Sequence, residues 1–199
     1  MAKGKWAQGI QPRQFSWVIK EQLAVCERPG GYGTNHRRVR RQEEVIWIRE
    51  NNFSFVISLI PSDHNLHSYD ELGMPWKHWP FAPSLNLETA LPQVYAELTS
   101  LLGSGKKLLM HMEEVGDRMA GFLAGYLRWS GMVPVTFEAI VVVERILGRQ
   151  MGPTGRNIVT AAENALLNPP PEPAEGESMA GEGAGGDDSG AAAEAGAGA

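Results

Sequence analysis

Two residues of this chain, His111 and Arg118, have types and a spacing that could do chemistry, with six residues between them. A short apolar run, Lys107–His111, precedes them, and Gly116 begins a helix that we expect to reach about Ser130. Backbone N–H groups of a loop between a strand and a helix N-terminus converge, which makes a site for an anion. The pattern therefore predicts an anion-binding loop at this junction.

This loop resembles the phosphate-binding loop of the cysteine-dependent phosphatases, whose pattern is His-Cys-five residues-Arg, followed by Ser or Thr and Gly. His111 matches the family histidine and Arg118 the family arginine. Ala120-Gly121 and Ala124-Gly125 match the small residues that let the next helix pack close to the sheet. The candidate phosphate-binding loop is made of His111, Met112, Glu113, Glu114, Val115, Gly116, Asp117 and Arg118.

The resemblance extends in order over about Phe15 to Ala165. The opening segments, Phe15–Ile19 and Leu23-Ala24, are similar to the first strands of single-domain dual-specificity phosphatases. Trp76–Pro83 resembles the strand and loop that deliver the general acid, and Tyr126–Gly131 resembles the turn into the helical half. The resemblance implies a phosphatase-type fold.

Three positions depart from the family pattern, and each departure removes a reactive group. Met112 stands where the resemblance implies the nucleophilic cysteine, and a thioether cannot ionise to form a phosphoryl-enzyme intermediate. Phe81 follows the proline of the acid loop, where the resemblance implies an aspartate. Met119 replaces the hydroxyl residue after the arginine. We therefore expect no catalytic residue at these degenerate positions.

The loop also carries three acids, Glu113, Glu114 and Asp117, around Arg118. We hypothesise that one of these carboxylates neutralises Arg118 and that the loop holds a protein carboxylate or water; residual oxyanion binding by Arg118 is the alternative. Asp117 suits a helix N-terminus. The two glutamates are expected to be ion-pair partners rather than nucleophiles, and Met112 to fill the core beneath the loop.

The other reactive residue types have simpler interpretations. Cys26 is the only cysteine, which excludes an internal disulfide, and we expect a small buried hydrophobe rather than a displaced nucleophile. His64, His67 and His78 have no metal-ligand spacing and are interpreted as structural or solvated. The sequence predicts no metal site and no cofactor.

A basic run, His36–Arg41, precedes a predicted helix. Its simple interpretation is a solvated loop; the alternative is a docking patch for an acidic partner at Arg37, Arg38, Arg40 and Arg41. The chain's own acidic C-terminal segment is one such partner, and nucleic acid is not favoured.

Strand-like and helix-like patterns alternate along the body of the chain. Strands are predicted at Phe15–Ile19, Leu23–Cys26, Phe53–Ile60, Trp76–Trp79 and Lys107–His111. Helices are predicted at Arg41–Asn51, Ser68–Leu72, Leu87–Leu102, Gly116–Ser130, Val135–Leu147 and Pro153–Leu167. This order predicts an α/β fold with a central, mostly parallel sheet flanked by helices, of the dual-specificity phosphatase type.

Composition divides the chain into an N-terminal extension (1–14), a phosphatase-like domain (15–167) and an acidic Gly/Ala/Pro-rich tail (168–199). The tail has seven acids and no Lys or Arg, so the net charge of −5 leaves −5 + 7 = +2 on the body. Without aromatic or branched aliphatic side chains, the tail is expected to be disordered. No apolar run suggests a signal peptide or a membrane span, so a cytoplasmic location is expected.

These observations favour a catalytically inactive pseudophosphatase that binds an unidentified protein partner. Two alternatives stay open: an active phosphoester hydrolase with a non-standard nucleophile and Arg118 as phosphate clamp, and a small-ligand binder that reuses the pocket. A groove formed by Trp79, Phe81, Met112 and Met119 is the expected binding surface.

Overall fold

The computed structural model describes residues 8–168, so nearly all of the predicted tail lies outside the described part. The strands are Ser16–Ile19 (β1), Leu23–Glu27 (β2), Phe55–Ser58 (β3), Trp76–His78 (β4) and Leu108–Met112 (β5). The helices are Arg38–Glu50 (α1), His67–Glu71 (α2), Leu87–Gly103 (α3), Asp117–Trp129 (α4), Thr136–Leu147 (α5) and Pro153–Leu167 (α6).

One five-stranded sheet forms the centre of the molecule, with the strand order β1-β2-β5-β3-β4. Strand β1 is antiparallel to β2, and the other neighbouring strands are parallel. Strand β5 lies in the middle, and all five of its residues are buried, as its apolar sequence requires for a strand covered on both faces. The predicted α/β fold with a mostly parallel sheet is confirmed.

Helices cover both faces of the sheet, and the two-residue period of the strands divides their side chains between two cores. In β5, Leu108, Met110 and Met112 join the larger core under α3 to α6. Leu109 points into the smaller core under α1 and α2. The loop after β5 is therefore anchored from both sides of the sheet.

Helices α4 and α6 are in close contact because small residues line α4. A Cβ atom added at Gly121 would lie 2.5 Å from the carbonyl oxygen of Gly155 and 2.6 Å from its Cα. A Cβ at Gly125 would lie 2.5 Å from the Tyr95 Oη. These glycines let the backbone of α6 approach the helix that carries Arg118.

Two predicted boundaries are wrong. Helix α1 begins at Arg38, three residues before the predicted start, and the Arg40–Glu44 pair on successive turns stabilises this first turn. Strand β3 has four residues instead of eight, although Leu59 and Ile60 beyond it stay buried. Within residues 8–168, no helix combines the length and hydrophobicity needed to cross a membrane.

Candidate functional site

A cavity of about 340 Å³ opens beside the loop between β5 and α4. It is lined by Leu59, Ile60, Pro61, Phe81, Pro83, Met112, Glu113, Glu114, Gly116, Asp117, Arg118, Met119 and Thr154. Ligands of open α/β sheets bind outside the carboxyl ends of the strands, and the chain after β3 and β5 leads to this position. The candidate loop predicted from the strand–loop–helix pattern therefore borders this cavity.

Arg118 is held by an aromatic residue rather than by an acid. Its Nη2 donates to the carbonyl oxygen of Phe81 at 2.9 Å, and its guanidinium carbon lies 4.8 Å from the centre of the Phe81 ring. Burial lowers the pKa of Arg118. No carboxylate among residues 8–168 lies within ion-pair distance of it, so the predicted neutralisation by a loop acid is wrong. A cation on an aromatic face replaces that ion pair.

The three loop acids make contacts outside the loop. Glu113 pairs with Arg28 at 2.8 Å, which ties the loop to the chain that follows β2. Glu114 is held loosely, since it only accepts a 3.3 Å hydrogen bond from the Tyr32 hydroxyl. Neither partner, Arg28 or Tyr32, was identified from the sequence, because each is more than 80 residues away along the chain.

Asp117 joins α4 to the beginning of α6. Its Oδ1 accepts from the Gly152 N–H at 2.6 Å and its Oδ2 from the Gly155 N–H at 2.8 Å. These amides belong to the first turn of α6, where N–H groups lack partners inside the helix. The Asp117 carboxylate thus accepts hydrogen bonds from the N-terminal amides of α6, while Asp117 itself lies in the first turn of α4.

The three positions at which the sequence predicts the loss of a catalytic group carry buried apolar side chains. Phe81 packs edge to face against Phe122, with ring centres 5.5 Å apart, so its side chain is directed into the core. Met119 is fully buried, and Met112 is 8% exposed at the floor of the cavity. These residues shape the apolar side of the cavity as expected. Trp79, the fourth predicted residue of the groove, lies outside this cavity and lines a neighbouring depression.

Val115 faces away from the cavity. Its N–H donates to the Gln14 Oε1 at 3.0 Å, and its carbonyl oxygen accepts from Arg149 at 3.3 Å. One amide of the candidate phosphate-binding loop is therefore already satisfied by a side chain. The predicted convergence of loop amides is incomplete at this position.

His111 lies on the opposite face of the sheet from the cavity. Its Nε2 is 3.0 Å from the Tyr69 hydroxyl, and its register neighbours are Cys26 on β2 and Ser58 on β3. Burial lowers the pKa of His111 to about 3, and repulsion by Arg28 acts in the same direction. The ring is therefore a neutral buried group that fixes the end of β5.

The remaining candidates show no catalytic arrangement. Cys26 is fully buried, and burial raises the pKa of its thiol, as the interpretation of a small hydrophobe requires. His78 donates to the Ile60 carbonyl at 2.8 Å, and His67 lies 4.0 Å from Glu71. In the described part of the chain, no three His, Cys, Asp or Glu residues group as a metal site would require.

No sequence-family model matches the chain, and no curated protein sequence matches it. Solved structures do match. A kinase-associated phosphatase with serine in place of its catalytic cysteine is 19% identical, with a TM-score of 0.66 over 79% of this chain and 98% of that one. A variant of human DUSP28 is 15% identical, with a TM-score of 0.55 over 79% and 98%.

A third solved structure is a human tyrosine phosphatase-like serine/threonine/tyrosine-interacting protein. It is 12% identical, with a TM-score of 0.52 over 77% of this chain and 95% of that one. The class that the fold defines is an α/β protein with the architecture of a phosphatase. Within that class, the fold is that of the dual-specificity and protein-tyrosine phosphatases.

Proposed function

We propose that this chain is a pseudophosphatase, which uses the phosphatase fold to bind a protein partner rather than to transfer a phosphoryl group. The observation that carries the proposal is Met112, which lines the cavity and stands in the sequence where the resemblance implies the nucleophilic cysteine. A thioether sulfur bears a methyl group and has no proton to lose. It cannot supply the anionic nucleophile that a covalent phosphoryl intermediate needs.

The rest of the site supports this proposal. Phe81 presents no proton to a leaving group, because its ring packs on Phe122 and Arg118. The thiol of Cys26 is buried on the other face of the sheet, and burial raises its pKa. Glu113 and Asp117 already bind a guanidinium and two backbone amides. Met112 and Phe81 therefore supply neither a nucleophile nor a proton for phosphoester cleavage.

The lining of the cavity indicates what it accepts. Its lining is largely apolar, and it also includes the carboxylate of Glu114, which makes a single 3.3 Å hydrogen bond. An apolar side chain whose neighbouring backbone provides an N–H donor fits this combination. A peptide segment of a partner protein has both features. The structural neighbour described as an interacting protein offers a parallel for such a role.

Phosphatase assays separate the proposal from the alternative of an active hydrolase. We expect no turnover of an aryl phosphate by the wild type or by Arg118→Ala. Met112→Cys restores only the nucleophile, and Met112→Cys with Phe81→Asp restores both the nucleophile and the general acid. We expect turnover to appear in one of these two variants. Because a general acid contributes about 10²- to 10⁴-fold, the double variant should be the faster. Turnover by the wild type that disappears in Arg118→Ala would contradict the proposal and support the alternative.

Binding in the cavity can be measured with N-acetyl-leucine methylamide, which combines an apolar side chain with two N–H donors. In methyl NMR of the full chain, we expect this probe to shift the signals of Met112 and Met119, which line the cavity. Met74 is an internal control, because it is buried in the core under α1 and α2. Unchanged Met112 and Met119 signals at about 10 mM probe would mean that the dissociation constant is weaker than the millimolar range. That result would count against a peptide-binding cavity.

A further inference from the structure

Among residues 8–168, no anionic group balances the N-terminus of α1. Its N-cap residue, Arg37, makes no side-chain capping bond, and its first turn contains no acid. The first amides of a helix lack partners within the helix, and the helix dipole makes this end positive. The first turn instead carries Arg38, Arg40 and Arg41, so positive charge is added to an end that is already positive.

Arg41 is a buried cation without an acidic partner. Its residue is only 8% exposed, and its Nε is buried with no hydrogen-bond partner. Its Nη1 donates to the Nε2 of His36 at 2.8 Å, so the ring accepts as a neutral group. Burial lowers the pKa of Arg41, and repulsion by Arg28 adds to this, while Glu71 attracts it only from beyond ion-pair distance. A buried guanidinium without an ion-pair partner is costly, so an anion bound beside it would be stabilising.

The acids near this helix end are already used. Glu44 binds Arg40 through Oε1 at 2.6 Å and accepts from the Gly30 N–H through Oε2 at 2.6 Å. Glu113 binds Arg28, whose other nitrogen donates to the His64 carbonyl. These four side chains therefore compensate one another.

Two cations of the first turn remain uncompensated. Arg38 is exposed, and no ion-pair partner for it exists among residues 8–168. Arg41 lies one helical turn further along the same face, since residues three apart are neighbours on a helix surface. Repulsion by Arg38 also lowers the pKa of Arg41. The free amides of the helix end lie beside them.

We propose that the N-terminus of α1, with Arg38 and Arg41, is a binding site for a phosphate monoester. The first-turn amides and two guanidinium groups offer more N–H donors than the two oxygens of a carboxylate can accept. A phosphate presents three oxygens and about two negative charges, which matches this number of donors and the local excess of positive charge. The site is separate from the cavity and requires no function of it.

This site corrects the docking patch expected from the sequence. Arg40 belongs to the Glu44 pair, and Arg37 donates to the Thr34 and His36 carbonyls, so neither is free as predicted. The site also adjoins the candidate phosphate-binding loop, because Arg28 binds the loop through Glu113 and acts on Arg41. The proposed phosphate site is therefore at the N-terminus of α1 and not at Arg118.

A phosphate titration of the full chain tests the site. Backbone-amide NMR with inorganic phosphate should show shifts at Arg38–Arg41 in the wild type. Arg38→Gln, at an exposed position, and Arg41→Gln should each weaken binding by about tenfold, as expected for loss of a charged hydrogen bond. Arg145→Gln is the matched control, because it removes an exposed guanidinium from α5 and should leave the affinity unchanged.

The outcomes separate this site from the proposed function. Equal affinity in Arg38→Gln and wild type, with both proteins folded, would overturn the α1 site. Shifts at Gly116–Met119 that vanish in Arg118→Gln would instead count against the proposed function and support residual oxyanion binding by Arg118. N-acetyl-phosphoserine methylamide in place of phosphate distinguishes the two sources of the monoester. If this probe binds more tightly than inorganic phosphate, the ligand is a phosphorylated protein. If the two bind equally, the ligand is a free phosphate ester.

Discussion

Lowering the pH from 7 to 4 should reduce the free energy of unfolding by about 3 kcal/mol through His111 alone. In the folded protein burial holds the pKa of His111 at about 3. In the unfolded chain an ordinary histidine has a pKa of about 6.5. Between these values the unfolded state binds a proton that the folded state does not. Stability is therefore complete above pH 6.5 and is lost as the pH falls toward 3.

Urea unfolding of wild type and His111→Gln at pH 7, 5.5 and 4 measures this contribution. Glutamine keeps a polar group near the Tyr69 hydroxyl but cannot titrate, so the stability difference between the two proteins should shrink as the pH falls. His67→Gln is the control, since its ring is largely exposed, 4.0 Å from Glu71. A difference between wild type and His111→Gln that stays constant across this range would show that His111 is not the group responsible.

Replacing Gly121 with alanine should destabilise the protein by about 3 kcal/mol, at the upper end of the usual cost of overpacking. The added methyl group would lie 2.5 to 2.9 Å from backbone atoms of Gly155. Backbone atoms of a packed helix cannot move aside as the end of a flexible side chain can. Helices α4 and α6 must therefore separate, and the Asp117 contacts with the Gly152 and Gly155 amides should lengthen with them.

Gly103→Ala is the matched control for this prediction. Gly103 ends α3, has no atoms within 4 Å of an added Cβ, and should gain a few tenths of a kcal/mol from helix propensity. Thermal unfolding of both variants by circular dichroism supplies the comparison. Equal midpoints for the two variants would mean that α4 and α6 tolerate a wider spacing than their contact implies.

The fold could be predicted from the sequence because its elements have strong local signals. The run Leu108–Met112 is apolar on both faces, and Ala120-Gly121 marks a helix that approaches its neighbour closely. Boundaries were less certain where charges decided them. At the start of α1 the Arg40–Glu44 pair and the buried Arg41 extend a helix into what resembles a solvated basic loop.

The contacts within the candidate site could not be predicted from the sequence. Charge alone suggested that Glu113, Glu114 or Asp117 would bind Arg118. Pairing depends on which side of the loop each side chain takes, and only the tertiary arrangement decides this. Asp117 binds amides 35 and 38 residues further along the chain. The loss of catalysis, the protein partner, the location and the disorder of the tail stay predictions.

The contact between Arg118 and Phe81 has a consequence for how the protein responds to ionic strength. An aromatic face and a carbonyl oxygen are not paired ions, so salt screens this contact little, whereas exposed charges are screened within about 8 Å at physiological ionic strength. The cavity should therefore keep its shape in concentrated salt. The proposed α1 site, formed in part by the exposed Arg38, should lose its ligand there. A simple salt series would thus separate the two recognition surfaces that we propose for this chain.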